Sequence, residues 1–391
     1  MSRSGFRLSA CVGLILIGCG GIGCARNTRP DGPATPKLTL EEATRLVPEK
    51  VPDREGWALD VLTALEAHRL HPDLSAMCQV LAVIEQESGY KANPPVANLS
   101  KIARDRLEAH ASKIPGIGRM LLAKLLEGKA PGTSQTFDER LDRVRTERDL
   151  DLLFRDLLTY YESEYPKTLA ALNLASELFG RGSLEALNPI TTAGSMQVSI
   201  AWAMEQSARE ELDEWRVRDR MYTRSGGVHY GTARLLGYAA GYDKPLYRFA
   251  DFNAGFYASR NAAVQSQLSV ITGHALAPDG DLLIYEKSGE PASRDSNTLK
   301  AFLAFRERYA PSISERQLRR DVRTEKTLGF EETETYRALK RVYAEVTKKE
   351  PAYAQLPDVA IRSPKMSKER STAWFAKSVD ARYQKCLERG R

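Results

Sequence analysis

From Leu38 onward the chain is patterned for helices almost without interruption, and this points to an all-α core. Asp53 can cap a helix running to about Leu70, with Trp57, Val61, Leu62 and Leu65 on one face. Asp73 can cap the next, which carries Leu74, Met77, Val80, Leu81 and Ile84 and is stopped by Gly89. Further helices are expected over 99–112, 117–127, 136–146, 149–163 and 166–179, before Gly180 to Gly182 breaks the series. Others follow Ser199, span about Gly227 to Tyr238, and cover 298–309, 331–348 and 369–388. The Pro-rich stretch 351–364 reads as a surface connection. A short hairpin is expected around Pro278-Asp279-Gly280-Asp281, because Leu282 to Tyr285 has strand character. The expected fold class is therefore all-α: one domain of several layers over 38–391, with a minor β-hairpin and no repeat of fixed period.

The N-terminus has a different pattern. Arg3 and Arg7 precede an apolar run from Leu8 to Ile17, followed by small residues. This is the layout of a secretory signal peptide, and the run is too short for a spanning helix. It ends Leu16-Ile17-Gly18-Cys19, which resembles a bacterial lipobox. That resemblance implies a signal peptide over 1–18 and a lipidated Cys19. It also implies an outer-membrane lipoprotein facing the periplasm, since Asp does not follow Cys19. A plain secretion signal cut near Cys24 is the simpler alternative. Residues 19–37, rich in Gly, Pro and Arg, would be a flexible tether. The run Gly18-Cys19-Gly20-Gly21-Ile22-Gly23 matches a dinucleotide fingerprint, but it sits in a segment expected to be cut and lacks the strand–helix setting. Of the five cysteines, Cys24, Cys78 and Cys386 remain for the mature body. An oxidising compartment would permit one bridge, and the sequence leaves its partners open. Cys78, inside a helical pattern, reads as a buried free thiol.

Charge and histidine content exclude several chemistries. A net charge of +6 on 391 residues is mild, and the Arg-rich stretch Glu315 to Arg323 reads as a solvated helix face. Nucleic acid is not an expected partner, because an export signal argues against it. The five histidines form no His-Glu-x-x-His, no Cys pair has zinc spacing, and His68 and His71 read as surface or capping residues. His229, beside Gly226-Gly227, reads as structural. No metal and no cofactor is expected.

The helix from Asp73 points to an acid. Its apolar stripe, continued by three residues, arrives at Glu87, in the last turn before Gly89. Desolvation and the negative end of the helix dipole should both raise the pKa of a carboxyl there. A glycosidase needs that state: a carboxyl still protonated near neutral pH, able to donate to a leaving oxygen. Taken alone, a helix-end Glu is more often exposed and inert. Its surroundings change the balance. Val83-Ile84-Glu85-Gln86-Glu87-Ser88-Gly89-Tyr90 resembles the first motif of the lytic transglycosylases, an apolar helix ending in Glu-Ser-x-aromatic. Ala193-Gly194-Ser195-Met196-Gln197 resembles their Gly-x-Met-Gln, and Gly227 to Leu236 their Gly-x-x-Tyr helix. Phe252-Asn253-Ala254-Gly255 resembles Tyr-Asn-Ala-Gly, and Glu332-Thr333-Glu334-Thr335-Tyr336 the late Glu-Thr-x-x-Tyr helix. The motifs come in the family's order over about 55–348.

The resemblance implies a goose-type lysozyme-like helical domain that cleaves the MurNAc-GlcNAc β-1,4 bond of peptidoglycan. One Glu serves as acid and base and a 1,6-anhydroMurNAc end is formed. Carried over, Glu87 is the catalytic residue, Ser88 and Tyr336 hydrogen-bond near it, Gln197 and Asn253 bind the sugar, and Met196 lines the cleft. Glycosidases otherwise use two carboxylates, and no second one is attached to these motifs. The chain departs from the family at three points. Glu87 and Gln197 lie 110 positions apart, which makes 99–187 a helical insertion able to act as a lid or to bind other cell-wall enzymes. Phe252 stands where the family has Tyr, and Ser195 where it usually has Leu. A competing acid, Glu162, also follows an apolar helix, and Pro166 stands close behind it. The alternatives are a non-catalytic peptidoglycan-binding or scaffolding lipoprotein on the same fold, and a hydrolysing muramidase.

Overall fold

A computed structural model describes residues 36–391, apart from 114, 131, 165, 167–187, 189, 287–288 and 362–369. The expected leader, Cys19, most of the expected tether and nearly all of the helix expected over 166–179 lie outside the described residues. Sixteen α-helices, two short 3-10 helices and four two-residue strands account for the regular structure among those described. The chain is all-α in character, as expected. None of its described helices is long and apolar enough to cross a membrane.

Helices α1 (Leu40–Leu46), α2 (Arg54–Ala67) and α3 (Leu74–Glu87) open the body. Asp53 and Asp73 cap α2 and α3 as their sequences require, accepting the amides of Gly56 (3.1 Å) and Ala76 (2.8 Å). Helix α2 stops short of Leu70 because Arg69 turns left-handed and the Leu70 amide reaches back to the Leu65 carbonyl at 2.9 Å. Residues Met77 to Ile84 of α3 are all buried, so α3 is a central helix packed on every side rather than an amphipathic one.

Next come α4 (Leu99–Ala111), α5 (Gly118–Glu127), α6 (Phe137–Leu141) and α7 (Glu147–Glu164). The single helix expected over 136–146 is instead α6 and a break. Thr146 and Asp149 form a reciprocal cap, each side chain accepting the other's amide, at 2.9 and 3.2 Å. That cap starts α7 afresh. Leu99, Ala103, Leu126, Phe137, Leu141 and Leu153 join the core that holds α3. The described part of 99–187, the segment expected to be an insertion, is thus packed into the body.

A small hairpin, β1 (Thr192–Ala193) and β2 (Val198–Ser199), leads into α8 (Ile200–Ser207). Helices α9 (Glu214–Met221), α10 (Arg224–Leu236) and α11 (Pro245–Ala254) complete the neighbourhood of α3. Helices α12 (Ala258–Thr272), α13 (Asn297–Tyr309), α14 (Glu315–Val322) and α15 (Glu334–Thr347) build a second hydrophobic cluster. A second pair of strands, β3 (Ala360–Ile361) and β4 (Arg370–Ser371), precedes α16 (Thr372–Arg389), which packs along both α3 and α11.

Two expectations need correcting. Cys78 is not a free thiol: it is bonded to Cys386, because α3 and α16 lie side by side with the two Cα atoms 5.5 Å apart. The hairpin expected around 278–285 does not form. The amides of Leu282 and Leu283, which a strand would spend on a neighbour, are donated to the buried Glu325 carboxylate at 2.6 and 3.1 Å. Tyr285 donates its hydroxyl to the same carboxylate at 2.6 Å, and the strand pairing seen there among the described residues runs to a later segment: Tyr285 bridges Pro291, with the Ala292 amide on the Ile284 carbonyl and the Glu286 amide on the Glu290 carbonyl, each at 2.8 Å.

Candidate functional site

Glu87 is the last residue of α3 and is half-buried. Immediately after it the chain turns sharply. Ser88 caps the helix, its hydroxyl donating to the Ile84 carbonyl at 3.0 Å, and Gly89 and Tyr90 are both left-handed. Two consecutive left-handed residues reverse the chain within one step, and a Gly at the first meets the steric demand. The ring of Tyr90 packs edge-on against Trp57, with centroids 5.5 Å apart, and its hydroxyl donates to the Leu81 carbonyl at 3.3 Å. The serine and the aromatic of the first motif therefore shape and anchor the turn. Ser88 is buried and does not line the cleft beside Glu87.

That cleft has a volume of about 720 Å³. Glu87 opens onto it together with Gln197, Asn253, Phe252, Arg234, Glu147 and Trp374. Gln197 reaches it from the hairpin. Gly194 to Gln197 form the hairpin's tip, closed by the Gln197 amide on the Gly194 carbonyl at 3.0 Å, with both end residues left-handed. The tip is docked on α10 by two glycines. A Cβ at Gly227 would come within 2.8 Å of the Ser195 nitrogen, and one at Gly231 within 2.1 Å of the Met196 sulfur. Met196 is thus fully buried against α10, and it holds the hairpin down rather than lining the cleft as expected. Ser195 is also fully buried, and its hydroxyl has no hydrogen-bond partner among the described residues.

Asn253 stands at the end of α11, where the Thr372 hydroxyl donates to its side-chain carbonyl at 3.0 Å. Two residues earlier in the same helix, Asp251 is fully buried. The Asp251 carboxylate accepts the hydroxyls of Tyr242 and Tyr238 and, at 2.7 Å, the amide of Ser259. Burial pushes the Asp251 carboxyl above its ordinary range, and these donors pull against that shift. Arg234 lies 3.7 Å from the Phe256 ring centroid and donates to the Asp251 carbonyl at 3.3 Å. Its Nη1 is buried with no partner among the described residues, and burial draws its pKa down. Trp374, at the start of α16, is 38% exposed, and the Arg370 guanidinium stacks on it at 3.8 Å. An exposed indole in a cleft is a flat apolar platform with a polar edge, suited to a sugar face.

Sequence reasoning missed Glu147. It is the first residue of α7, buried, and it accepts the Gln197 side-chain amide at 3.0 Å. The Val96 amide bonds the Arg145 carbonyl at 2.9 Å, and Pro95 bridges Thr146; together they pull the start of α7 against the loop that leaves Glu87. The expectation of no second carboxylate is corrected by this geometry. Gln197 also donates to the Gly194 carbonyl (3.2 Å) and accepts from Thr192 (3.1 Å). Both of its amide protons are engaged within the protein, which leaves its carbonyl oxygen as the atom with a lone pair to spare.

Tyr336 does not join the cleft. It lies in the second hydrophobic cluster, edge-on to Phe330 at 5.4 Å, with the Lys340 ammonium over its ring. Glu162, the competing acid, is exposed near the end of α7 and does not line the cleft. No group of His, Cys, Asp and Glu suited to a metal ion occurs among the described residues.

A family model described as "Protein of unknown function (DUF1615)" matches residues 50–389. The chain is also 38% identical over 343 residues to the "Uncharacterized protein YaiW" of Escherichia coli (strain K12), covering 88% of this chain and 87% of that protein. No solved structure matches.

Proposed function

We propose that this chain, which belongs to the DUF1615 family, cleaves peptidoglycan glycan strands as a lytic transglycosylase, with Glu87 as acid and base. The observation that carries this reading is the convergence of Glu87, Gln197 and Asn253 on one cleft, although they are far apart in the sequence. The exposed Trp374 beside them supplies a stacking surface for a sugar, and the lysozyme-like fold is part of the same proposal. In this scheme Glu87 donates its proton to the leaving glycosidic oxygen and then takes the proton of the sugar's own 6-hydroxyl, closing the anhydro ring without water. The Gln197 carbonyl accepts from the substrate, and the Asn253 amide donates to it. A protein exported and held to the outer membrane through a lipidated Cys19 would meet this substrate. The Cys78–Cys386 bond supports residence in an oxidising compartment.

Glu147 favours a second reading, a hydrolysing muramidase, because a second carboxylate in the cleft could activate water. The exposed Ile117 and Met120 at the start of α5 favour a scaffolding role for the inserted segment. Incubating the purified protein with sacculi and weighing the soluble products separates the three. Anhydro ends support the transglycosylase, and ends heavier by one water support the muramidase. Binding to sacculi without soluble products overturns both enzymatic readings.

A further inference from the structure

The surface of α14 separates its charges. Arg316, Arg319, Arg320 and Arg323 follow one another at intervals of three, one and three residues, which puts them on one side of the helix and its C-cap. Leu318 and Val322 are fully buried on the other side. The helix's internal acid, Asp321, also faces inward, accepting the Thr335 hydroxyl at 2.7 Å. Arg319 is engaged, forking onto Asp295 at 2.7 and 2.8 Å and onto Glu315 at 2.7 Å. Arg316, Arg320 and Arg323 are exposed and form no ion pair with a described residue.

A helix face that serves solubility mixes signs along its length. This one sets Arg316 against Arg320, and Arg319 against Arg323, at the i, i+4 spacing where like charges repel. The four arginines and Glu315 line a shallow, open depression. Guanidinium forks match the oxygens of phosphate, and a cluster of them on an open face suits a planar array of phosphates. A polymer strand would instead call for a walled groove, and the cleft at Glu87 already provides one. If Cys19 is the lipid anchor proposed above, the body stays tied to a membrane surface.

We infer that the arginine face of α14 docks onto an anionic, phosphate-bearing lipid surface and so sets how the tethered body lies on its membrane. The inference is independent of the enzymatic reading. It is tested with the full chain carrying Cys19→Ser, which has no acyl chain of its own, and vesicles of phosphatidylethanolamine with or without phosphatidylglycerol. Binding should require the phosphatidylglycerol and weaken as salt rises. Replacing Arg316, Arg320 and Arg323 together by Gln should weaken it on the order of a hundredfold, about fivefold per charge. A charge-matched control, Arg341, Lys349 and Lys385 to Gln at other exposed positions, should leave it nearly unchanged. Equal binding to neutral vesicles, or equal losses in the two triple variants, would overturn the inference. So would a loss confined to binding of isolated sacculi, which would assign the face to the cell-wall polymer.

Discussion

Gly231→Ala tests whether the hairpin tip is held where the chemistry needs it. The added Cβ would lie 2.1 Å from the Met196 sulfur, 2.8 Å from its Cγ and 2.6 Å from its Cβ. The sulfur could swing aside, since methionine is flexible, but the Cβ is tied to the backbone and cannot. The tip must therefore move on the order of an ångström. Overpacking of this kind costs about 1–3 kcal/mol, and removing a glycine from a helix interior returns about 1 kcal/mol. The net loss of stability should be small, at most about 2 kcal/mol, and visible as a fall in Tm of a few degrees. The functional loss should be larger, because Gln197 shares the displaced tip, and a shift of that size can cost roughly a hundredfold in rate. The assays are thermal melting by circular dichroism and release of soluble muropeptides from sacculi. Gly329→Ala is the control, since its Cβ would meet nothing nearer than the Thr327 hydroxyl at 3.5 Å. A Gly231→Ala protein with unchanged Tm and full muropeptide release would refute the docking argument.

Three further outcomes rest on the same geometry. Glu147→Gln removes the carboxylate that holds the Gln197 amide, so activity should fall by about tenfold while the products keep their anhydro ends; loss of water-containing products would instead make Glu147 the base of a hydrolase. Replacing both Cys78 and Cys386 by Ser should lower stability by about 2–4 kcal/mol in chemical denaturation, because the bridge closes a loop between residues 308 positions apart; an unchanged midpoint would show that the α3–α16 packing suffices alone. Burial, with His68 and Arg220 nearby, pulls the His229 imidazole down to about 4. The folded state then binds that proton less readily than the unfolded chain, so this contribution is complete above about pH 6.5 and is lost as pH falls towards 4. His229→Gln should flatten stability against pH across that window, and an unaltered profile would rule His229 out as its source.

What could be read from the sequence, and what could not, has physical reasons. Helix α3 was legible because its cap, its apolar run and its glycine stop agree, and Glu87 came with it. Helix α12 gave no clear signal because much of its buried surface is polar: Arg260, Asn261, Gln265 and Gln267 are all inside, and they blur the short apolar stripe of Val264, Leu268 and Ile271. Helix α11 was also missed, although Asn253 at its end was picked out by its motif and lines the same cleft as Glu87 and Gln197. The hairpin at 192–199 is too short for alternation to register, and its register rests on contacts with Gly227 and Gly231 on a later helix. Glu147 was hidden because its place depends on pairing between Pro95 and Thr146, which no local pattern encodes. Tyr336 shows the converse: its motif falls in the right order, but its helix belongs to the second cluster and its ring packs on Phe330.

The central claim is that the carboxyl ending α3 carries out the bond cleavage. The direct measurement is muropeptide release from sacculi by Glu87→Gln, set beside its Tm and its binding to the same sacculi. Glu87→Gln keeps the side chain's size and removes its proton donor, so Tm and binding should stay at the wild-type level while release of anhydro ends falls below detection. Release at the wild-type rate from a folded Glu87→Gln protein would contradict the account.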